Sequence, residues 1–389
     1  MFHDVIIGIP KEIMKGENRV AASPDTVKKM VAGGARVLVE TMAGVGSFFS
    51  DDDFKAAGAS IETNVESLYE QAHIILKVKE PLFHEGLNKH EVNLFHPGQY
   101  LITFLHPASP VNHEMIKNLA MMDVTSFTLD GIPRISRAQN MDALTSMSTV
   151  AGYKSVLMAA NRLSKFVPMI GSAVGVIKPA QVVVVGAGVC GLQAIATAKR
   201  LGAVVTAVDI RPDACEQAKS LGSNVWDVGV PAEVAIGQGG YAQRLPDEWL
   251  NKERENLKEA VKKADILILC ALIPGKQAPL LVTEDMVKSM ANGSSIVDVA
   301  IDQGGNCACT VPGKVENVHG VTIDGTKNIP GMVPTSSTWM FAQNIYNFIA
   351  YVVKDGKIEL NREDEIIASS LTTYKKEIVH AGAREAMNL

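Results

Sequence analysis

Hydrophobic and polar residues alternate along the chain in blocks that predict strands and helices in turn. Short runs rich in Val, Ile and Leu predict strands of a buried parallel sheet. Near the N-terminus these runs occupy residues 5–9, 35–40, 74–79 and 100–105. Polar segments with helical spacing separate the runs, and Ser23 with Pro24 begins one of these helices as a capping residue and a first-turn proline. The alternation is typical of a doubly wound α/β fold.

The same alternation returns after a long helical stretch at residues 141–166, which we expect to bridge two domains. Further strands are predicted at 182–185, 203–208, 265–270, 295–301 and 320–324, and helices at 246–263 and 284–290. A last long helix, 336–353, has an apolar face, and we expect it to cross back and pack on the N-terminal domain. We therefore predict two Rossmann-like domains: residues 1–140 plus 330–389, and residues 141–329 inserted between them.

The most informative motif is a glycine turn that follows the four-valine strand. Gly186-Ala-Gly188-Val-Cys-Gly191 lies between this strand and a helix. In a dinucleotide fingerprint the first glycine permits the tight turn, the second lets the backbone approach a pyrophosphate, and the third packs the helix against the strand. The strand, turn and helix together predict a nucleotide site.

An acid at the end of the next strand completes the fingerprint. Asp209 follows Gly186 by 23 residues, close to the ~20 expected for the acid that binds the ribose 2′-hydroxyl. A carboxylate there would repel a 2′-phosphate, so NAD(H) is favoured over NADP(H), although the neighbouring Arg211 leaves the second nucleotide open.

Composition narrows the class of protein. The 389 residues, 47% of them hydrophobic, suffice for two domains. A net charge of −5 argues against nucleic acid as a partner. The sequence predicts neither a signal peptide nor direct membrane insertion. Five cysteines without zinc spacing, since Cys307 and Cys309 stand too close together, predict reduced thiols of a cytoplasmic protein and no metal site.

Two groups of polar residues are candidates for chemistry. Arg19, Lys77, His106 and Asp302 lie in or at the ends of predicted strands, where open α/β sheets build their sites. Taken singly, each could be a satisfied polar residue or a surface charge. Taken together, Arg19 could hold a carboxylate, and His106 or Asp302 could move a proton.

The second group comes at the start of the bridging helix. Arg134, Gln139 and Asp142 lie within nine residues of each other, which suits a polar network better than a core. Asp142 is equally plausible as an acid that stabilises the N-terminus of the helix.

At these residues the chain resembles the soluble NAD(H)-binding component of proton-translocating NAD(P) transhydrogenases, a family that shares a superfamily with alanine dehydrogenases. The resemblance covers essentially the whole length. The segments that carry it are RISRAQNMD (134–142), GAGVCGLQAIATAKRLGA (186–203), GGYAQ (239–243), ALIPGKQAP (271–279), GGNC (304–307) and EIVHAG (377–382).

This resemblance implies roles for particular residues. Arg134, Gln139 and Asp142 would lie near the nicotinamide end of bound NAD(H) as the catalytic group, with Thr145 helping to orient the nicotinamide ribose. A mobile loop around Tyr241 would close over the nucleotide. The remaining residues expected to line the nucleotide site are Val189, Ile210, Arg211, Ala271 and Leu272.

The resemblance also implies partners and a location. The family's component is a homodimer that docks on membrane-spanning and NADP(H)-binding partner subunits. We therefore expect a cytoplasmic protein that is peripheral to the inner membrane through those partners. Its N-terminal domain would be completed by the C-terminal helix, with the NAD domain inserted between them.

Other segments are similar to alanine dehydrogenase, namely ILKVKEP (75–81), TFLHPA (103–108), AIDQGG (300–305) and IPGMVPTSST (329–338). In that enzyme, residues matching Arg19 and Lys77 bind the substrate carboxylate, and those matching His106 and Asp302 act at the reacting centre. Hydride transfer between two nicotinamides needs only juxtaposed rings and excluded water, whereas oxidative deamination also needs acid/base groups.

RISRAQNMD and the Tyr241 loop favour direct hydride transfer from NADH to NADP⁺ on a partner, coupled to proton translocation. An NAD-dependent L-amino acid dehydrogenase is the alternative. A catalytically idle NAD-sensing module is a third class, but it gives no reason for the Arg134 group.

Overall fold

The computed structural model describes residues 1–237, 242–273 and 277–389. The chain divides into two compact units, one of Met1–Met147 with Gly331–Leu389 and one of Ser148–Pro330. Each unit is built on its own sheet, and each is described by itself below.

The N-terminal part of the first unit alternates strands and helices. Its strands are Ile6–Ile9 (β1), Arg36–Glu40 (β2), Ser60–Glu62 (β3), Ile74–Leu76 (β4), Phe83–His84 (β5), Lys89–His90 (β6), Tyr100–Thr103 (β7) and Thr125–Thr128 (β8). Its helices are Pro24–Ala32 (α1), Asp51–Ala56 (α2), Val65–Gln71 (α3) and His113–Met121 (α4), followed by the bridging helix Ala143–Arg162 (α5). Ser23 caps α1 with its side chain, and Pro24 is the first helical residue, as predicted.

The second unit has the same alternation. Its strands are Ile170–Ser172 (β9), Gly175–Ile177 (β10), Gln181–Val185 (β11), Val204–Val208 (β12), Asn224–Val225 (β13), Ile266–Leu269 (β14), Ser295–Asp298 (β15), Val315–Val318 (β16) and Val321–Asp324 (β17). Its helices are Val189–Arg200 (α6), Pro212–Ser220 (α7), Ala232–Ala235 (α8), Asp247–Lys263 (α9) and Glu284–Ser289 (α10).

The C-terminal segment returns to the first unit. Its elements are Pro334–Val352 (α11), Val353–Lys354 (β18), Lys357–Ile358 (β19), Glu365–Ser370 (α12), Leu371–Tyr374 (β20), Glu377–Ile378 (β21) and Ala381–Met387 (α13). Helix α11 buries aromatic side chains against the N-terminal residues: the rings of Phe104 and Phe341 lie 5.5 Å apart, and those of Phe127 and Phe348 lie 5.4 Å apart. These contacts hold the returning segment on the N-terminal sheet.

Both large sheets are predominantly parallel. The order in the first unit is β21-β20-β8-β7-β4-β1-β2-β3, with parallel pairing from β8 to β3 and antiparallel pairing at β20 and β21. The order in the second is β13-β12-β11-β14-β15-β17-β16, with only the β16–β17 pair antiparallel. The predicted α/β class is confirmed.

Several predicted elements differ in their bounds. Strands β20 and β21 were missed in a segment expected to end in a helical tail, because they are short and rich in threonine. The strand predicted at 295–301 is wrong beyond Asp298, where a 3₁₀ turn, Val299–Gln303, begins. The carboxylate of Asp298 accepts the backbone N–H groups of Asn306 and Cys307, so the chain turns back there instead of extending the sheet.

Within the described residues, none of the helices combines the length and the apolar character that crossing a bilayer requires. The same residues contain no group of three or more His, Cys, Asp or Glu side chains that could hold a metal ion.

Candidate functional site

The glycine turn of the second unit joins the end of β11 to the start of α6. Gly186 has a φ of +93°, and a Cβ there would lie 2.7 Å from the backbone nitrogen of Ala271. A Cβ on Gly191 would lie 1.8 Å from the carbonyl oxygen of Gly186, so the helix approaches the strand this closely only with glycine at that position.

Gly188 differs from its two neighbours. It caps α6 without a side-chain hydrogen bond, and a Cβ built on it would meet no protein atom within 4 Å. The free N–H groups of the first helical turn therefore adjoin open space, which is the arrangement that binds a phosphate group. Val189, the first residue of α6, is half-buried beside this space.

Asp209 lies directly after β12, where it is fixed against the glycine turn. Its carboxylate accepts the backbone N–H groups of Ala187 and Arg211, each at 2.8 Å. Arg211 also forms an ion pair with it, Nη2 to Oδ2 at 3.0 Å. Because the guanidinium is engaged by Asp209, the arrangement favours a ribose hydroxyl over a 2′-phosphate. Ile210, between them, packs into the apolar cluster on one face of the sheet.

Ala271 and Leu272 follow β14 beside the turn, and a buried asparagine that the sequence did not reveal holds them. Asn306 accepts the N–H of Ala271 at 3.0 Å and donates to its carbonyl oxygen at 2.9 Å. Asp298 in turn accepts the N–H of Asn306 at 2.9 Å, and burial raises the pKa of the Asp298 carboxyl. The signal available in the sequence was an aspartate inside the apolar run SIVDVAI.

Tyr241, predicted to close over the nucleotide, lies outside the described residues. So do the other residues of 238–241 and residues 274–276.

The Arg134 group lies in the first unit, on a 3₁₀ segment Ser136–Met141 that precedes α5. Arg134 and Gln139 are exposed, whereas Asp142 is buried. The Asp142 carboxylate caps α5, accepting the backbone N–H of Thr145 at 2.8 Å and its hydroxyl at 2.7 Å. The helix therefore begins at Ala143, and the alternative role considered for Asp142 at a helix N-terminus is one that it has.

Contacts with the C-terminal segment fix this 3₁₀ segment in place. Asn344 and Asn347 of α11 both donate to the carbonyl oxygen of Asn140 at 3.0 Å. Arg137 forms two hydrogen bonds with Asp364, at 2.8 and 3.2 Å. The hydrogen bond from Arg137 outweighs desolvation and lowers the pKa of Asp364 to about 2. The exposed side chains of Arg134 and Gln139 thus stand on an anchored backbone.

The cations of the alternative amino-acid site each have a carboxylate partner inside the first unit. Arg19 is buried, donates through Nε to Glu17 at 2.7 Å, and contacts Met147 Sδ at 2.9 Å. Lys77 lies just beyond β4, fully buried, with Nζ 2.8 Å from Glu91 and 3.5 Å from Glu12. Burial opposes the charge of Lys77, but the two carboxylates outweigh it and raise the pKa of the lysine.

His106 and Asp302 are arranged differently from each other. His106 Nδ1 lies 2.7 Å from Asp130 Oδ1; burial opposes the charge of Asp130, but His106 outweighs it and lowers the pKa of the carboxyl to about 2. Asp302, in the second unit, was expected at a strand end. It is exposed on the 3₁₀ turn four residues past Asp298 and accepts the N–H of Asn328 at 3.3 Å.

Glu253 of α9 is a further buried acid that the sequence did not reveal, and it should make stability depend on pH. Burial, and then the charge of Asp209, raise its pKa from 4.5 to about 7. Below pH 4.5 both folded and unfolded states are protonated, and between 4.5 and about 7 only the folded state keeps the proton. The stability that this proton contributes is therefore lost as the pH rises through that window.

Glu253→Gln should accordingly leave stability unchanged near pH 4.5 and increase it near pH 8, by at most about 3 kcal/mol. Urea unfolding at both pH values measures this, with exposed Glu248→Gln on the same helix as the control. An equal effect of Glu253→Gln at both pH values would contradict the assignment.

The parallel sheet, the glycine turn at the start of α6 and the acid after β12 define the Ser148–Pro330 unit as a dinucleotide-binding domain. Residues 8–151 match the family described as alanine dehydrogenase/PNT, N-terminal domain, and residues 155–381 match its C-terminal domain. The chain belongs to the alanine dehydrogenase/PNT family, and the resemblance predicted from RISRAQNMD and the glycine turn is confirmed.

Individual proteins agree with this. An NAD(P) transhydrogenase alpha subunit of Rhodospirillum rubrum, in its first portion, is 43% identical over 96% of this chain and 97% of its own length. The crystal structure of a transhydrogenase from Sinorhizobium meliloti has a TM-score of 0.83 and 38% identity, covering 96% of this chain and 100% of that one. An L-alanine dehydrogenase has a TM-score of 0.79 and 29% identity, covering 99% of each.

These relatives place the chain among oxidoreductases of the transhydrogenase family. Transhydrogenase alpha subunits and alanine dehydrogenases bind NAD(H), which confirms the predicted cofactor. The residues fit it, since Gly188 leaves open space at the start of α6 and Asp209 is fixed beside the turn.

Proposed function

We propose that the chain is the NAD(H)-binding component of an NAD(P) transhydrogenase. It would pass hydride between NADH and NADP⁺ held on a partner domain, coupled to proton translocation. The observation that carries the proposal is the open N-terminus of α6 at Gly188, with the Asp209 carboxylate fixed beside it. The likeness to transhydrogenase alpha subunits over nearly the whole chain supports it.

The dinucleotide would be held by backbone at one end and side chains at the other. The first-turn N–H groups of α6 bind pyrophosphate over Gly188, and Asp209 binds the adenosine ribose. The apolar residues that line the site are Val189, Ile210, Ala271 and Leu272, and the loop at Tyr241 closes over it. When bound, NADH supplies a hydride from C4 of its nicotinamide ring.

At the nicotinamide end this chain supplies orientation. Arg134 and Gln139 are exposed polar side chains on an anchored segment, suited to hold the carboxamide. Asp142 and Thr145, hydrogen-bonded to each other, fix the first turn of α5 for the nicotinamide ribose. Direct hydride transfer moves no proton on either substrate, so positioning and exclusion of water are what this chain contributes.

The assembly would follow from this function. We propose a homodimer that docks on NADP(H)-binding and membrane-spanning subunits and is peripheral to the inner membrane through them. Both are needed because the hydride acceptor and the proton path lie on other chains.

Likeness to an L-alanine dehydrogenase structure favours a second candidate, an NAD-dependent amino-acid dehydrogenase. The ion pairs of the first unit argue against it. Arg19 is paired with Glu17, Lys77 with Glu12 and Glu91, and His106 with Asp130. A substrate carboxylate would have to displace or share these contacts. We therefore assign the three cations to the stability of the first unit.

Gln139→Ala tests the nicotinamide end. It should slow hydride transfer to an NADP⁺ analogue by about tenfold or more, because a misplaced ring loses near-attack geometry, while changing the NADH dissociation constant far less. Single-turnover kinetics and equilibrium binding separate the two effects. Ser136→Ala, exposed on the same 3₁₀ segment, is the matched control and should alter neither. A loss of affinity alone would remove Gln139 from the reaction.

A further inference from the structure

Two thiols meet at the glycine turn, those of Cys190 and Cys270. Cys190 is the second residue of α6, and Cys270 directly follows β14. Their side chains are hydrogen-bonded to each other, and both belong to the same apolar cluster against the sheet. The proposed function uses neither of them.

The two thiols are chemically unequal. Cys270 is buried, whereas Cys190 is only partly buried. The hydrogen bond with Cys190, together with burial, holds the pKa of the Cys270 thiol well above its usual range. Cys270 therefore keeps its proton at neutral pH, and Cys190 is the thiol that a small oxidant reaches first.

The backbone on both sides of this contact is tightly held. The N–H of Cys270 donates to the carbonyl oxygen of Val185 at 2.8 Å, and its carbonyl carbon would lie 2.7 Å from a Cβ on Gly186. On the other side, a Cβ on Gly152 would lie 2.1 Å from the carbonyl oxygen of Cys190. Two sulfurs in contact on rigid backbone, on either side of the turn, favour a bond with each other over reaction with other thiols.

We propose that Cys190 and Cys270 are a modification site at which a peroxide forms a reversible disulfide, and that this bond weakens NAD(H) binding. Hydrogen peroxide oxidises the Cys190 thiol to a sulfenic acid and releases one water. The Cys270 sulfur then attacks the sulfenic sulfur, and the hydroxyl group leaves with the Cys270 proton as a second water. Two thiols and one peroxide thus give one disulfide and two waters, and a thiol reductant reverses the change.

The bond should change the geometry of the turn. A disulfide requires an S–S distance of about 2.05 Å, far shorter than a contact between two thiols, so its formation draws the first turn of α6 towards the end of β14. The N–H groups of that turn are the ones proposed for pyrophosphate, and weakening one such charged hydrogen bond lowers affinity about tenfold or more. This effect rests on the proposed nucleotide site, whereas formation of the bond does not.

A second thiol pair provides a matched control. Cys307 and Cys309 are hydrogen-bonded to each other, and they belong to the cluster on the opposite face of the sheet. Burial raises the pKa of Cys307 to about 11. Neither residue belongs to the glycine turn.

The experiment treats the reduced full chain with stoichiometric hydrogen peroxide, blocks remaining thiols and maps disulfides by mass spectrometry. NADH affinity is measured in parallel by the fluorescence of the nucleotide. We expect a Cys190–Cys270 disulfide and an affinity lowered about tenfold, both restored by dithiothreitol. Compared each with its own reduced form, Cys270→Ser should show neither change, and the double variant Cys307→Ser/Cys309→Ser should show both.

Oxidation confined to other cysteines, or Cys190 oxidised while Cys270 stays free, would overturn the proposal. A Cys190–Cys270 disulfide without a change in NADH affinity would overturn its effect on binding. The variant Gly188→Ala distinguishes that outcome from a failure of the nucleotide site itself, because it tests the same turn without any thiol chemistry.

Discussion

Replacing Gly188 with alanine is expected to lower NADH affinity by on the order of 100-fold or more, because the second glycine of the turn is where the backbone approaches the pyrophosphate. The added methyl group meets no protein atom within 4 Å, and Gly188 has a φ of −75°, which any residue adopts. Folding and thermal stability should therefore be unchanged. Equilibrium titration with NADH and a thermal unfolding curve measure the two quantities.

Two other glycines give this prediction its controls. Gly171 also leaves open space for an added methyl group and has no positive φ, so Gly171→Ala should leave both stability and affinity unchanged. Gly191→Ala should lower stability as well as affinity, because its Cβ would collide with the Gly186 carbonyl oxygen at 1.8 Å. An unaltered NADH affinity in Gly188→Ala would remove the pyrophosphate from this turn.

Replacing Asp209 with alanine should have the second largest effect. It removes the carboxylate proposed for the adenosine ribose and the acceptor for the N–H of Ala187. Loss of a charged hydrogen bond corresponds to about a tenfold to hundredfold fall in NADH affinity. It also releases Arg211 from its ion pair, so the preference for NADH over NADPH should shrink by more than NADH affinity alone accounts for.

Isothermal titration with both nucleotides measures this difference in affinity. Asp213→Ala is the control, since Asp213 lies in the first turn of the next helix, α7, and should leave the preference unchanged. NADH affinity that survives the loss of Asp209 would end its assignment to the ribose. A preserved preference with lowered affinity would mean that Arg211 does not take up a 2′-phosphate.

Features carried by neighbouring residues were predictable from the sequence. The strand Gln181–Val185, the glycine turn and Asp209 all lie within one βαβ unit, where residue type and spacing decide the structure. The same holds for the cap of α1 by Ser23.

Features carried by distant residues were not predictable. Lys77 was expected to be buried, but its partners Glu12 and Glu91 lie 65 positions before it and 14 after it in the chain. Asn306 reaches Ala271 across 35 positions, and no local pattern indicates that pairing. Asp302 was chosen over Asp298 because the apolar run continues past Asp298, whereas hydrogen bonds from residues 306 and 307 end the strand there.

The central claim is that this chain passes hydride to a partner. The most direct measurement mixes the purified chain with an NADP(H)-binding transhydrogenase domain and follows exchange between NADH and an NADP⁺ analogue. The same preparation, without the partner, is given NAD⁺ and a panel of small L-amino acids while NADH absorbance is followed. The account predicts exchange with the partner and no amino-acid turnover. NADH formation from alanine or a related amino acid, without exchange, would contradict it and make Arg19, Lys77, His106 and Asp302 a working deamination site.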